Sequence, residues 1–109
     1  MITIREYIDP KGRSSYARWF NRLNAAAAAK VTTSLVRMEQ GNFSTTKGIG
    51  EGILECRIDF GPGYQIDFGR DGDALVILLG GGTKKRQQKD IETAKKLWKE
   101  YKRWKRQER

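Results

Sequence analysis

Residues 53–68 alternate apolar and polar side chains with a period of two, broken only by a glycine-bearing turn, and such a stretch can pack well only as β-sheet. Ile53 to Phe60 alternates, Gly61-Pro62-Gly63 turns the chain, and Tyr64 to Phe68 alternates again. Asp71-Gly72 or Gly72-Asp73 makes a second turn. Ala74–Leu79 is almost continuously apolar and belongs at the centre of the sheet, after which Gly80-Gly81-Gly82 is expected to end it. A further short strand is expected around Ser44–Ile49, and the β-branched opening ITIREYI predicts a strand over residues 2–8.

The flanking segments change period. Tyr16, Trp19, Phe20 and Leu23 fall at helical spacing, and so do Ala28, Val31, Leu35 and Met38. The two stripes predict a helical hairpin that breaks near Asn24 and ends at a Gly41-Asn42 cap. From about Gln87 onward, Ile91, Ala94, Leu97, Trp98, Tyr101 and Trp104 share one side of a third helix and Lys/Arg the other. The expectation is an α+β fold of order β-α-α-β-β-β-β-α. In it the hairpin and the C-terminal helix pack on a twisted, mainly antiparallel sheet of four to five strands. With 109 residues the chain makes a single domain, 1–109.

Charge is placed unevenly. Residues 84–109 hold twelve Lys/Arg against four Asp/Glu, whereas the other 83 residues hold ten against nine. A basic terminal stretch points to phosphate, and to nucleic acid before a membrane surface. Lys85, Arg86, Arg103, Lys105, Arg106 and Arg109 are its candidate RNA contacts; a solvated helix face is the competing reading. No apolar run approaches the roughly 20 residues a membrane span needs. The first ten residues lack the features of a signal peptide, and the single Cys56 can form no internal disulfide. A cytoplasmic protein is therefore expected.

The chain contains no histidine, which removes Ser-His-Asp and Cys-His systems and the commonest metal ligand and general base. No cofactor is expected, and Gly80–Gly82 before Lys84 lacks the spacing of a nucleotide-binding loop. What remains is Lys and Arg chemistry on a sheet. Strand alternation puts Glu55, Arg57 and Asp59 on one face, with Gln65 and Asp67 beside them. If the helices cover the apolar face, Arg57, Gln65 and Asp67 project from an open concave surface near Lys84. Such a cluster could bind a phosphodiester and stabilise charge as a 2′-OH attacks it. A cross-strand ion pair of Arg57 with Asp67 or Glu55 is the competing reading. Cys56 points to the apolar side and reads as an inert small hydrophobe, and Trp98, Tyr101 and Trp104 read as core or partner-facing before they read as base-stacking.

Two runs, Gly52 to Tyr64 (GILECRIDFGPGY) and Leu78 to Ile91 (LLGGGTKKRQQKDI), carry a resemblance. They resemble the RelE/ParE toxin superfamily in its HigB-like addiction-module killer branch, which typically reads E-L-R-I-x-x-G-P-G-Y-R-x-Y-F and then G-G-x-K-x-x-Q-x-x-D-I. The resemblance implies a RelE-like fold and the toxin of a type II toxin–antitoxin system. That toxin would be a ribosome-dependent, metal-independent mRNA endonuclease held in check by a helix-turn-helix antitoxin from an adjacent gene. Carried over by position, Arg57 would be the phosphate or transition-state ligand and Lys84 a phosphate ligand or proton donor. Lys47 would contact RNA or carry a proton. The chain departs from the pattern at Gln65 and Asp67, where the family has Arg and Tyr. On an open face, a carboxylate about 5 Å from phosphate would cost roughly 3 kcal/mol at an effective dielectric near 20, so an attenuated toxin is expected. A ParE-like poison of DNA gyrase and a non-catalytic basic module binding RNA or antitoxin remain as alternatives.

Overall fold

The structure, a computed structural model, describes residues 1–107; Arg109 lies outside the described residues. Five strands form one sheet: β1 (Thr3–Glu6), β2 (Thr46–Gly50), β3 (Ile53–Ile58), β4 (Tyr64–Arg70) and β5 (Leu75–Thr83). Their spatial order is β1-β5-β4-β3-β2, with β1 parallel to β5 and every other pairing antiparallel. The helices are α1 (Ser15–Phe20), α2 (Ala25–Glu39) and α3 (Gln87–Gln107), the last entered through a 3-10 turn over Lys84–Arg86. The α+β class and the order of elements are as expected.

Local chemistry explains the helix limits. The Ser14 side chain accepts from the Ala17 N–H at 3.0 Å and starts α1, and the Asn24 side chain accepts from the Ala27 N–H at 2.8 Å and starts α2. After α2, Gly41 adopts φ 85° and its N–H donates to the Met38 carbonyl, while the Asn42 N–H reaches back to Arg37, which closes the helix end.

The helices do not all lie on one side of the sheet. One core layer joins α1 and α2 to Cys56, Ile58, Ile66, Phe68, Val76 and Leu78. The other joins α3, through Ala94, Trp98 and Tyr101, to Tyr7, Ile53, Ile77 and Leu79. The face expected to be open is therefore partly roofed by α3. Trp98 and Tyr101 stack at 5.2 Å and are core residues, whereas Trp104 is 52% exposed. Among the described residues no helix is long and apolar enough to cross a membrane.

The triple glycine corrects one expectation: Gly80, Gly81 and Gly82 lie inside β5, which runs on to Thr83. They stay in the strand because helices crowd both faces there. A Cβ on Gly81 would enter the Trp19 ring of α1, and a Cβ on Gly82 would come within 2.6 Å of the Asp90 carboxyl carbon on α3. The glycines allow close approach rather than a turn. Gly81→Ala should accordingly destabilise the chain by about 1–3 kcal/mol in denaturant unfolding. Trp19→Ala alone should also destabilise, but the double variant should lose clearly less than the two losses added together. Strict additivity would show that the Gly81–Trp19 approach does not limit β5.

Candidate functional site

Because β2, β3, β4 and β5 are in register, two rows of side chains run across the sheet on its α3 side. The first aligns Lys47, Glu55 and Asp67, with Gly80 as the register partner of Asp67 in β5, and the second aligns Arg57 and Gln65, with Gly82 as the partner of Gln65. Beyond the N-terminal end of α3 these rows open into a cleft of about 650 Å³. Lys47, Glu55, Arg57, Tyr64, Gln65 and Lys84 line it. Lys47, Arg57 and Lys84 are all exposed, and they come from β2, β3 and the turn that leaves β5. The Lys84 N–H donates to the Gly63 carbonyl at 3.2 Å, which ties this turn to the Gly61-Pro62-Gly63 hairpin. Three of the residues singled out in the sequence thus meet at one rim.

The floor of the cleft is acidic and dry. Glu55 is fully buried; its Oε2 accepts from Gln87 Nε2 at 2.7 Å, and its Oε1 lies 3.5 Å from Lys47 Nζ. Periodicity put Glu55 on the correct face but did not mark it as a site residue. Gln87 was missed altogether, because its role depends on where α3 starts over the sheet.

Gln65 and Asp67 are placed differently from the expectation. Gln65 is 3% exposed and lines the cleft from below, with its Nε2 unpartnered. Asp67 is fully buried and absent from the cleft wall, and neither carboxyl oxygen has a hydrogen-bond partner. It sits under the first turn of α3, which bears Asp90. Attenuation by a carboxylate facing phosphate is therefore not what the geometry offers. Among the described residues Arg57 makes no ion pair, so the pairing with Asp67 or Glu55 is not adopted either.

Burial pushes the Asp67 carboxyl up from 3.8 to about 7, and the neighbouring carboxylates Glu55 and Asp90 push in the same direction. Burial likewise raises Asp90, against the pull of Arg86 and Lys89. Cys56 is buried on the opposite side of the sheet, where desolvation raises its thiol, as befits an inert core residue. Among the described residues no group of three or more His, Cys, Asp or Glu could hold a metal ion.

The remaining cationic candidates divide in two. Lys85 and Arg86 are exposed beside the cleft. Arg103 and Arg106 are exposed near the far end of α3, about 25 Å along a helix that rises 1.5 Å per residue. Lys105 is only half-exposed and ion-paired with Asp71, which also accepts from the Tyr101 hydroxyl at 2.5 Å. It is tied into the fold, and this weakens its candidacy as an RNA contact.

The Asp67 environment has a consequence for stability. Below about pH 4 the carboxyl is neutral in both folded and unfolded chains and costs nothing extra. Between about 4 and 7 the folded chain keeps a proton that the unfolded chain has lost, so stability falls as pH rises through this window. Asp67→Asn should remove that slope. Thermal melts should show the variant gaining on the order of 2–4 kcal/mol over the parent at pH 8 relative to pH 4; parallel pH curves for the two would contradict a strained Asp67.

No model of a known protein family matches the chain. The chain is similar to an uncharacterized protein of Haemophilus influenzae (strain Rd), with 41% identity over 91 residues that cover 83% of this chain and 92% of the relative. The chain belongs to one family with that Haemophilus influenzae protein.

Proposed function

We propose that the chain is the toxin of a type II toxin–antitoxin pair and cleaves mRNA on the ribosome by metal-independent 2′-OH attack. The observation that carries this reading is the convergence of Lys47, Arg57 and Lys84 on one open cleft in a chain without histidine. Three cations around one cleft suit a phosphodiester, whose negative charge grows as the attacking oxygen bonds to phosphorus. Arg57, free of any carboxylate partner among the described residues, keeps its planar fork available for two phosphate oxygens. Lys84 stands where it can protonate the leaving oxygen. The resemblance of the two sequence runs to RelE/ParE toxins supports the same reading, and with it a RelE-like fold, a cytoplasmic location and a helix-turn-helix antitoxin from a neighbouring gene. A net charge of +9 favours an acidic contact surface on that antitoxin.

Induced expression should arrest growth, and primer extension should map new 5′ ends in translated mRNAs. Arg57→Ala should abolish both effects, with a loss of roughly 10²–10³-fold in cleavage. Co-expression of the adjacent helix-turn-helix reading frame should restore growth. Gyrase-linked DNA breaks without mRNA ends would replace the ribonuclease with a gyrase poison, and unimpaired growth at full expression would leave a non-catalytic basic module.

The α3 cations should act at longer range. Replacing Lys85, Arg86, Arg103 and Arg106 together by Gln should weaken ribosome binding and flatten its dependence on salt, because each lost phosphate contact releases fewer counterions. An unaltered salt slope would make this face a solvated one.

A further inference from the structure

A 2′-OH that attacks phosphorus has to lose its proton, and the three cations on the rim of the cleft are poorly suited to take it. The chain has no histidine to do so. Carboxylates that could serve are Glu55, Asp59 and Asp67. Asp67 is sealed below the cleft and Asp59 is exposed on its rim. Glu55 alone combines a position on the cleft wall with full removal from water. Its two oxygens are also unequal. Oε2 is fixed by the Gln87 amide at 2.7 Å, whereas Oε1 accepts no hydrogen bond and has the Lys47 ammonium 3.5 Å away. The Lys47 side chain is 55% exposed, so it can leave without opening the core.

We propose that Glu55 is the proton acceptor of the cleft, uncovered when the substrate phosphate draws Lys47 away from Oε1. This rests on the reading of the cleft as a ribonuclease site. The phosphate and the Glu55 carboxylate compete for one ammonium. When the phosphate takes it, Oε1 loses its counter-charge and is left open to the substrate's proton. Glu55 Oε1 then accepts the 2′-OH proton while the O2′ electron pair forms the new bond to phosphorus. The P–O5′ bond breaks, and O5′ takes a proton from the Lys84 ammonium. The products are a 2′,3′-cyclic phosphate and a 5′-hydroxyl, after which Glu55 returns its proton to water and Lys84 regains one. Gln87 is a positioning residue: it holds Oε2, so that Oε1 faces the substrate.

The test uses the full chain on ribosomes programmed with a defined mRNA, at saturating toxin, across a pH series. Glu55→Gln keeps the shape of the side chain and should slow cleavage roughly 10²–10⁴-fold, the usual contribution of a positioned base. The same variant should bind ribosomes carrying an mRNA with 2′-deoxyribose at the cleavage site within about threefold of the parent affinity. Any fall in the parent rate toward acid pH should be absent from its profile. Glu55→Asp should recover part of the rate and the parent's pH profile, and it serves as the probe if the Gln variant does not fold. A parent that cleaves while Glu55→Gln cleaves equally fast would overturn this assignment and leave the ribonuclease reading intact. So would transfer of the loss to Asp59→Asn. A parent that cleaves no mRNA would overturn both.

Discussion

The close approach of two helices to β5 from opposite sides governs much else in the molecule. Gly81 lets the Trp19 ring of α1 lie against one face of the strand, and Gly82 lets Asp90 of α3 lie against the other. Because β5 is the only strand paired with β1 among the described residues and also pairs with β4, its path fixes the sheet. Because α3 begins directly after it, the point at which Asp90 meets Gly82 also fixes where α3 starts. That start puts Lys84 on the rim of the cleft and Gln87 over Glu55. A bulkier residue at position 82 would move the roof of the site before it touched any residue in it.

The cleft has opposite charge at two depths. Lys47, Arg57 and Lys84 stand at the solvent edge, where water screens their mutual repulsion. Glu55 and Asp67 lie below, with Gln65 in the adjoining row, all removed from water. Only Glu55 has a cation at its side, and Asp67 is kept from ionising freely by burial and by two neighbouring carboxylates. The rim thus presents positive charge to solvent, while the carboxyl groups below it are shut away from water.

Periodicity was enough to read most of the fold from residue order: the shift from a period of 3.6 to a period of two and back located every helix and strand. The caps at Asn24 and Gly41 were legible for the same local reason, since a side chain or a left-handed glycine ends a helix without help from distant residues. The extent of β5 was not legible, because three glycines mark a turn and a close approach equally well until the packing partners are known. The face carrying Gln65 and Asp67 was correct, but its exposure was not. Alternation tells which residues share a side, and only the packing of α3 decides whether that side is wet. Arg57 and Lys84 were legible from strand alternation and Lys47 only through resemblance; all three line one cleft.

Asp67 is the point at which stability and site chemistry pull apart. A buried carboxyl without a hydrogen-bond partner destabilises a small domain, whose net stability is only about 5–15 kcal/mol. An apolar residue of similar volume would fill the space at less cost. Violations of this kind are expected beside functional sites, where local strain can be part of the chemistry. The neighbours of Asp67 show what its charge would act on. It faces Glu55 across a registered pair and lies against the turn bearing Asp90. The carboxyl that weakens the fold therefore lies beside the carboxylate that lines the cleft, and a substitution chosen to relieve the first changes the electrostatic surroundings of the second.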